Sequence, residues 1–350
     1  MTRNFKRKIV HSENEDTAYG NISNSISSID IMCFSKSCDH LNKKIKLSVK
    51  SIDSISDLIN FGTSYNCVSN KEYNGINLRI LNNLIEPLIE LNKMIGLVDI
   101  KNKVINNCLY IARGYNSVKC NSCIDCRMNI PCVSNSKEML HTVITGPPGV
   151  GKTEFAKILT KIYSCLGVIK NNKIIHVSRK DLISGYLGRT AKKTQKIFDL
   201  ARNGVLFIDE AYSLGNSGNE DTYSKECIDI INKNLSENRD TIVIMAGYKN
   251  EMEECFFRIN PGLRRRFPFT YNIDGYSAEE LFDIFQQKIR NDNWTIDKND
   301  ELKLKKYIEN NMNKFKNYGG DVETFIMKGK IKNSRDINSK NYIFKYDDFI

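Results

Sequence analysis

Gly146, Pro147, Pro148, Gly149, Val150, Gly151, Lys152 and Thr153 follow the spacing G-x-x-x-x-G-K-S/T. Glycines so placed let the backbone curl its N–H groups toward a β-phosphate. The lysine then reaches the β- and γ-phosphates, and the hydroxyl holds Mg2+. Further along, Val205 to Glu210 read VLFIDE, four apolar residues ending in two carboxylates. Asp209 is expected to bind Mg2+ directly or through water, and Glu210 to polarise an attacking water, because phosphoryl transfer needs an oriented nucleophile more than covalent help. The plainer readings are a glycine turn carrying a lysine by chance and an ordinary strand end. ATP with Mg2+ is the ligand these residues suit.

A second cluster, Cys120, Cys123, Cys126 and Cys132, has the spacing C-x2-C-x2-C-x5-C. Four thiolates this close suit tetrahedral Zn2+. An iron–sulfur reading fits less well, since Pro131 precedes Cys132 instead of following it. Unliganded thiols are the third reading. The cluster sits in a polar insertion at about 117–138 and is read as a structural clip or partner-specific knob, not as catalytic.

The phosphate loop must lie between a strand and a helix, and LHTVIT before it and TEFAKILTKIY after it supply both. From about residue 96 helical patterns alternate with short apolar strands, among them KIIHVSR, GVLFIDE and TIVIMAGY. That alternation is the sequence form of a parallel sheet covered on both faces, a three-layer α/β core spanning 96–275. After FPFTYNI, Ser277 and Glu280 stand at capping-box spacing and open a helical segment, 276–350. Residues 1–48, rich in Ser, Asn, Lys and Asp, read as a disordered tail, and 49–95 as a helical lead-in whose last helix is interrupted by Pro87. His141 and His176, at strand positions, read as packed or hydrogen-bonded side chains.

With 41% hydrophobic residues in 350, the chain can bury real cores. Its net charge of +11 comes from lysines scattered throughout, so a dedicated nucleic-acid surface is disfavoured. No apolar run is long enough to span a bilayer, which predicts a soluble protein without a membrane partner. Eleven cysteines behind an opening with no secretory leader point to the cytoplasm or another reducing intracellular compartment.

The runs GPPGVGKT, KDLISGYLGRTAKKT, VLFIDEAYSLGN, YSKECIDIINKNLSENRD, IVIMAGYKNEME and NPGLRRRF, over roughly 96–290, resemble the CbbX/CfxQ branch of AAA+ ATPases, relatives of SpoVK. The resemblance implies a parallel sheet of order 5-1-4-3-2, a helical lid, and a ring, typically a hexamer, binding ATP between subunits. It implies that Tyr186, Leu187 and Gly188 face a central pore and grip a polypeptide; an aromatic at Tyr186 packing a loop to the core is the plainer reading. It also implies an arginine finger in NPGLRRRF, with Arg264 and Arg266 fitting best and Arg265 pointing elsewhere; a solvated basic cluster is the plainer reading. Ala246-Gly247-Tyr248 stands where many AAA+ proteins place a polar first-sensor residue, a form that CbbX relatives share. In the lid, Val322 falls at the second-sensor arginine, with Lys328 or Lys330 as substitutes, and the final KYDDFI reads as the start of a closing helix. The function so implied is an ATP-hydrolysing remodeller of a protein substrate. A nucleotide-dependent switch or scaffold with weak turnover is the alternative, ahead of a nucleic-acid-acting factor.

Overall fold

The computed structural model describes residues 51–64, 72–73, 76–115, 139–186, 188–215, 222–238, 240–335 and 342–350. Its centre is a five-stranded parallel sheet of β1 (Thr142–Thr145), β2 (Ile174–Val177), β3 (Val205–Ile208), β4 (Ile242–Gly247) and β5 (Phe269–Asn272). In space the order is β2-β3-β4-β1-β5, the expected 5-1-4-3-2 read from the other edge.

The three inner strands are buried along their whole length because both faces are covered. Alternation still sorts their side chains. Val143, Leu206, Ile208, Val243 and Met245 enter one core with Phe198, Ile228 and Ile231 from helices α5 (Thr190–Leu200) and α6 (Thr222–Glu237). Ile144, Val205, Phe207, Ile242 and Ile244 enter the other, with Phe155 and Leu159 of α4 (Lys152–Cys165) and Val104 of α3 (Val98–Ala112). Helix, sheet and helix form the three layers. His141 lies in this interior, accepting from the Val243 N–H at Nδ1 (3.1 Å) and placing Nε2 3.2 Å from the Leu235 carbonyl. Those partners select the neutral tautomer protonated at Nε2.

Two helices precede the core, α1 (Ile55–Ser64) and α2 (Leu78–Lys93). The expected interruption at Pro87 does not occur, and α2 runs through it. A proline inside a helix costs about 3 kcal/mol. Leu81, Leu84, Leu88 and Leu91 are all buried to 2% exposure or less, and each such side chain returns about 1.5–3 kcal/mol. Packing against α1, α3 and α4 therefore outweighs the local penalty.

After β5 come α7 (Ala278–Asn291), α8 (Glu301–Asn310) and α9 (Gly319–Asn333), packed around Phe285, Phe325, Phe344 and Phe349. Ser277 caps α7 by accepting from the Glu280 N–H, and Glu280 accepts from the Ser277 N–H at 2.8 Å. Among the described residues no helix is long and apolar enough to cross a membrane.

Candidate nucleotide site

Strand β1 ends at Thr145 and α4 starts at Lys152, so the six residues between them must turn the chain within a short span. Gly149 and Gly151 do so with φ of 73° and 89°, a left-handed backbone that side chains resist. The Lys152 ammonium donates to the carbonyls of Gly146 (2.8 Å) and Pro147 (2.7 Å) and lies 5.1 Å from the Tyr248 ring centroid. Burial is the largest influence on it and lowers its pKa, while the charges of Asp209 and Glu210 act in the opposite direction.

Strand β3 delivers Asp209 and Glu210 at the same sheet edge, as an open α/β sheet delivers ligand-binding groups. Glu210 itself is left-handed, with φ 50°, and its N–H donates to Asp209 Oδ1 at 3.0 Å. His176 Nε2, from the neighbouring strand, is 3.5 Å from Asp209 Oδ2. Thr153 and Asp209 offer hard oxygen donors to the same space, a set that fits Mg2+.

These groups line one cavity of about 1140 Å³, roomy enough for a nucleoside triphosphate. Its phosphate end carries Lys152, Thr153, Asp209, Glu210 and Tyr248. Met94, Ile95, Ile158, Tyr276 and Ile284 add apolar surface to the same lining, beside polar groups that include Glu90, Lys93 and Lys161. Tyr276 is pinned by its hydroxyl donating to the Val150 carbonyl at 2.9 Å. Lys101 fixes the turn after α2 by donating to the Met94 carbonyl at 2.6 Å, and Gln287 joins α7 to α2 by donating to the Lys93 carbonyl at 2.8 Å.

The apolar part of the cavity wall escaped the sequence reading. Its one signal was Gly96, a turn residue between two helical patterns, now seen at φ 65°. Lys288 was missed as well. It lines the cavity from α7 and is joined to Glu323 of α9 at 2.5 Å. By contrast Val322 is fully buried, and Lys330 is spent on Asp292 (2.6 Å) and the Trp294 ring (5.7 Å). Lys328 is exposed and does not line the cavity.

None of the three adjacent arginines lines the cavity of its own chain. Arg264 pairs with Glu253 and lies over the Phe257 ring at 4.9 Å. Arg266 donates from Nε to Ser236 Oγ (2.8 Å) and from its guanidinium to the Gly262 carbonyl (2.7 Å). Arg265 is exposed. Tyr186 is 69% exposed, with the Arg189 guanidinium 5.1 Å from its ring centroid, and Gly188 follows at φ 73°. Leu187 and the cysteines Cys120, Cys123, Cys126 and Cys132 lie outside the described residues, as does the tail 1–48. Among the described residues no cluster of three or more His, Cys, Asp or Glu side chains is gathered for a metal ion.

Residues 142–274 match the family model "ATPase family associated with various cellular activities (AAA)". A cfxQ-like protein of Acanthamoeba polyphaga mimivirus is 36% identical over 342 residues, covering 95% of this chain and 80% of the relative. Protein CbbX of Cereibacter sphaeroides is 40% identical over 170 residues, which span 48% of this chain and 55% of CbbX. Among solved structures, a RuvB mutant of Thermotoga maritima superposes with a TM-score of 0.50 at 17% identity, covering 74% of this chain and 70% of RuvB, a likeness of fold.

Proposed function

The chain belongs to the CbbX/CfxQ family of AAA ATPases, and from that premise we propose that it binds ATP with Mg2+ and hydrolyses it to ADP and phosphate. The observation that carries the reading is the meeting of Lys152, Thr153, Asp209 and Glu210 in one cavity that also offers apolar surface from Met94, Ile95, Tyr276 and Ile284. Backbone N–H groups of Gly149 to Thr153 and the Lys152 ammonium take the β- and γ-phosphates. Thr153 and Asp209 would hold Mg2+, which supplies positive charge against the phosphate oxygens. Glu210 orients a water and takes its proton as the water oxygen bonds to the γ-phosphorus. The bond from that phosphorus to the β,γ-bridging oxygen breaks, and ADP keeps the electron pair.

The finer reading is a ring, typically of six copies, that remodels a protein substrate through its pore. Two observations support it. Arg264 and Arg266 lie away from their own cavity, where they can serve a neighbouring copy, and the Tyr186 ring stands out into solvent, able to grip a polypeptide. Residues 276–350 act as the lid in this reading. A nucleotide-dependent switch with weak turnover is favoured by one observation, the burial of Val322 at the place of a second-sensor arginine.

Steady-state ATP hydrolysis against protein concentration separates the two. A motor gives turnover rising faster than linearly, lost in Glu210→Gln and in the Arg264→Ala/Arg266→Ala pair. Nucleotide binding with no turnover at any concentration leaves the switch alone standing.

A further inference from the structure

Tyr186 stands at the edge of a basic surface that lies outside the nucleotide cavity. Helix α5 is entered through Arg189, and Arg189, Lys192, Lys193 and Lys196 follow at i, i+3, i+4 and i+7, so all four share one face. Lys193 ties that face to the preceding loop, its ammonium donating to the carbonyls of Lys180 (2.5 Å) and Ile183 (2.9 Å). The Arg189 guanidinium lies 5.1 Å from the Tyr186 ring centroid. Lys180, Arg189, Lys192 and Lys196 are all exposed. Among the described residues none of these four is paired with a carboxylate, since Asp181 is spent on capping at Ser178 and Asp199 accepts from Gln195.

The fold gains nothing electrostatic from this arrangement. Arg189 with Lys193, and Lys192 with Lys196, are like charges at i and i+4 and repel, and cations in a first turn without acids oppose the helix dipole. A negatively charged partner relieves both. Room for one is present, because Tyr186 is 69% exposed and a Cβ on Gly185 or Gly188 would meet nothing within 4 Å. A strand of bases would ask for successive aromatic platforms, but Phe198, the other aromatic of 179–202, is buried to 2% exposure. An extended polypeptide fits better. Lys192 and Lys196 stand about 6 Å apart along the helix axis, close to the roughly 6.6 Å between alternate side chains of an extended chain.

We propose that this surface selects acidic segments of polypeptide, with an apolar side chain on the Tyr186 ring and alternate Asp or Glu carboxylates on Arg189, Lys192 and Lys196. The proposal rests on the reading of Tyr186 as the ring that grips a polypeptide, and it names the class of segment taken. The aromatic supplies affinity for any chain. The lysines supply the choice among chains.

The test is fluorescence anisotropy at low salt, with the full chain and labelled unstructured peptides of equal length that share the same leucines and carry Glu, Gln or Lys at alternate positions. A single-stranded oligonucleotide of matching charge is measured beside them. The Glu peptide is expected to bind about five- to thirty-fold more tightly than the Gln peptide, and the Lys peptide more weakly than either. Lys192→Gln/Lys196→Gln cuts that preference about two- to ten-fold, and Lys192→Arg/Lys196→Arg retains it. Lys306→Gln/Lys316→Gln removes the same charge from exposed sites elsewhere and leaves the preference intact. Tyr186→Ala weakens the Glu and Gln peptides alike. Equal binding of the Glu and Gln peptides, both lost in Tyr186→Ala, overturns the proposal alone. So does an equal fall in the Lys306/Lys316 variant, which marks net charge instead of this surface, and so does an oligonucleotide that binds more tightly than the Glu peptide. A chain that binds no peptide, or binds them unchanged in Tyr186→Ala, overturns the gripping reading and this proposal together.

Discussion

Gly149 is the point where the phosphate loop meets the C-terminal helices, and Gly149→Ala tests that contact. The residue has φ 73°, where an alanine loses about 1–2 kcal/mol. Space is a second obstacle, since a Cβ would stand 1.8 Å from the Asn317 carbonyl oxygen and 2.8 Å from its carbon. Both are backbone atoms at the entry to α9, so one segment must move by more than an ångström. That movement breaks the bond from the Gly319 N–H to the Gly149 carbonyl, 3.1 Å long, for about a further 1 kcal/mol. The sum is about 2–3 kcal/mol, which corresponds to a fall in Tm of roughly 3–5 °C in a chain of this size. Because the displaced loop carries the phosphate-facing N–H groups, ATP affinity falls with it. Thermal unfolding and nucleotide binding are measured beside Gly185→Ala, whose Cβ would meet nothing within 4 Å and whose Tm is expected to stay within about 1 °C. If Gly149→Ala melts with the wild type and binds ATP equally, the contact between loop and helix α9 is not the one described.

Three further outcomes are expected. Lys288→Ala weakens ATP binding about three- to ten-fold and Lys288→Arg restores it, measured by displacement of a fluorescent ADP analogue, because Lys288 is the cation that α7 brings to the cavity. His141→Ala leaves the Val243 N–H and the Leu235 carbonyl buried without their partner and opens space between strands, lowering stability by about 2–4 kcal/mol in urea unfolding. Asp300 accepts from Lys303 and from the Tyr346 N–H, which hold its pKa below the usual carboxylate range. A depressed folded pKa contributes stability above the unfolded pKa and loses it as pH falls through the folded one. Asp300→Asn therefore lowers Tm at neutral pH, and its curve against pH converges on the wild type in acid.

The sheet was legible because it is written in contiguous apolar runs, and VLFIDE and LHTVIT carry both their strand character and the groups they deliver. Period-two alternation assigned no face in sequence, since both faces of β3 are apolar; only the helices packed against them distinguish Leu206 from Phe207. Pro87 misled because local propensity knows nothing of the leucines that α2 buries on its neighbours. Met94, Tyr276 and Lys288 meet only through closure of segments far apart in sequence, so no spacing rule could gather them. Sequence set Arg264 and Arg266 apart from Arg265 but not from each other. Their partners separate them, with Glu253 and Phe257 holding Arg264, and Ser236 and Gly262 holding Arg266.

The cavity's walls have a consequence for how such a protein can be cut and recombined. The family match spans 142–274, yet Met94 and Ile95 come from before it, and Ile284 and Lys288 from after it. A fragment trimmed to the match keeps every residue of the phosphate loop and discards the parts of the cavity wall that both flanks supply. Grafting this site onto another scaffold, or exchanging it between relatives, must carry the flanking helices as inseparable cargo.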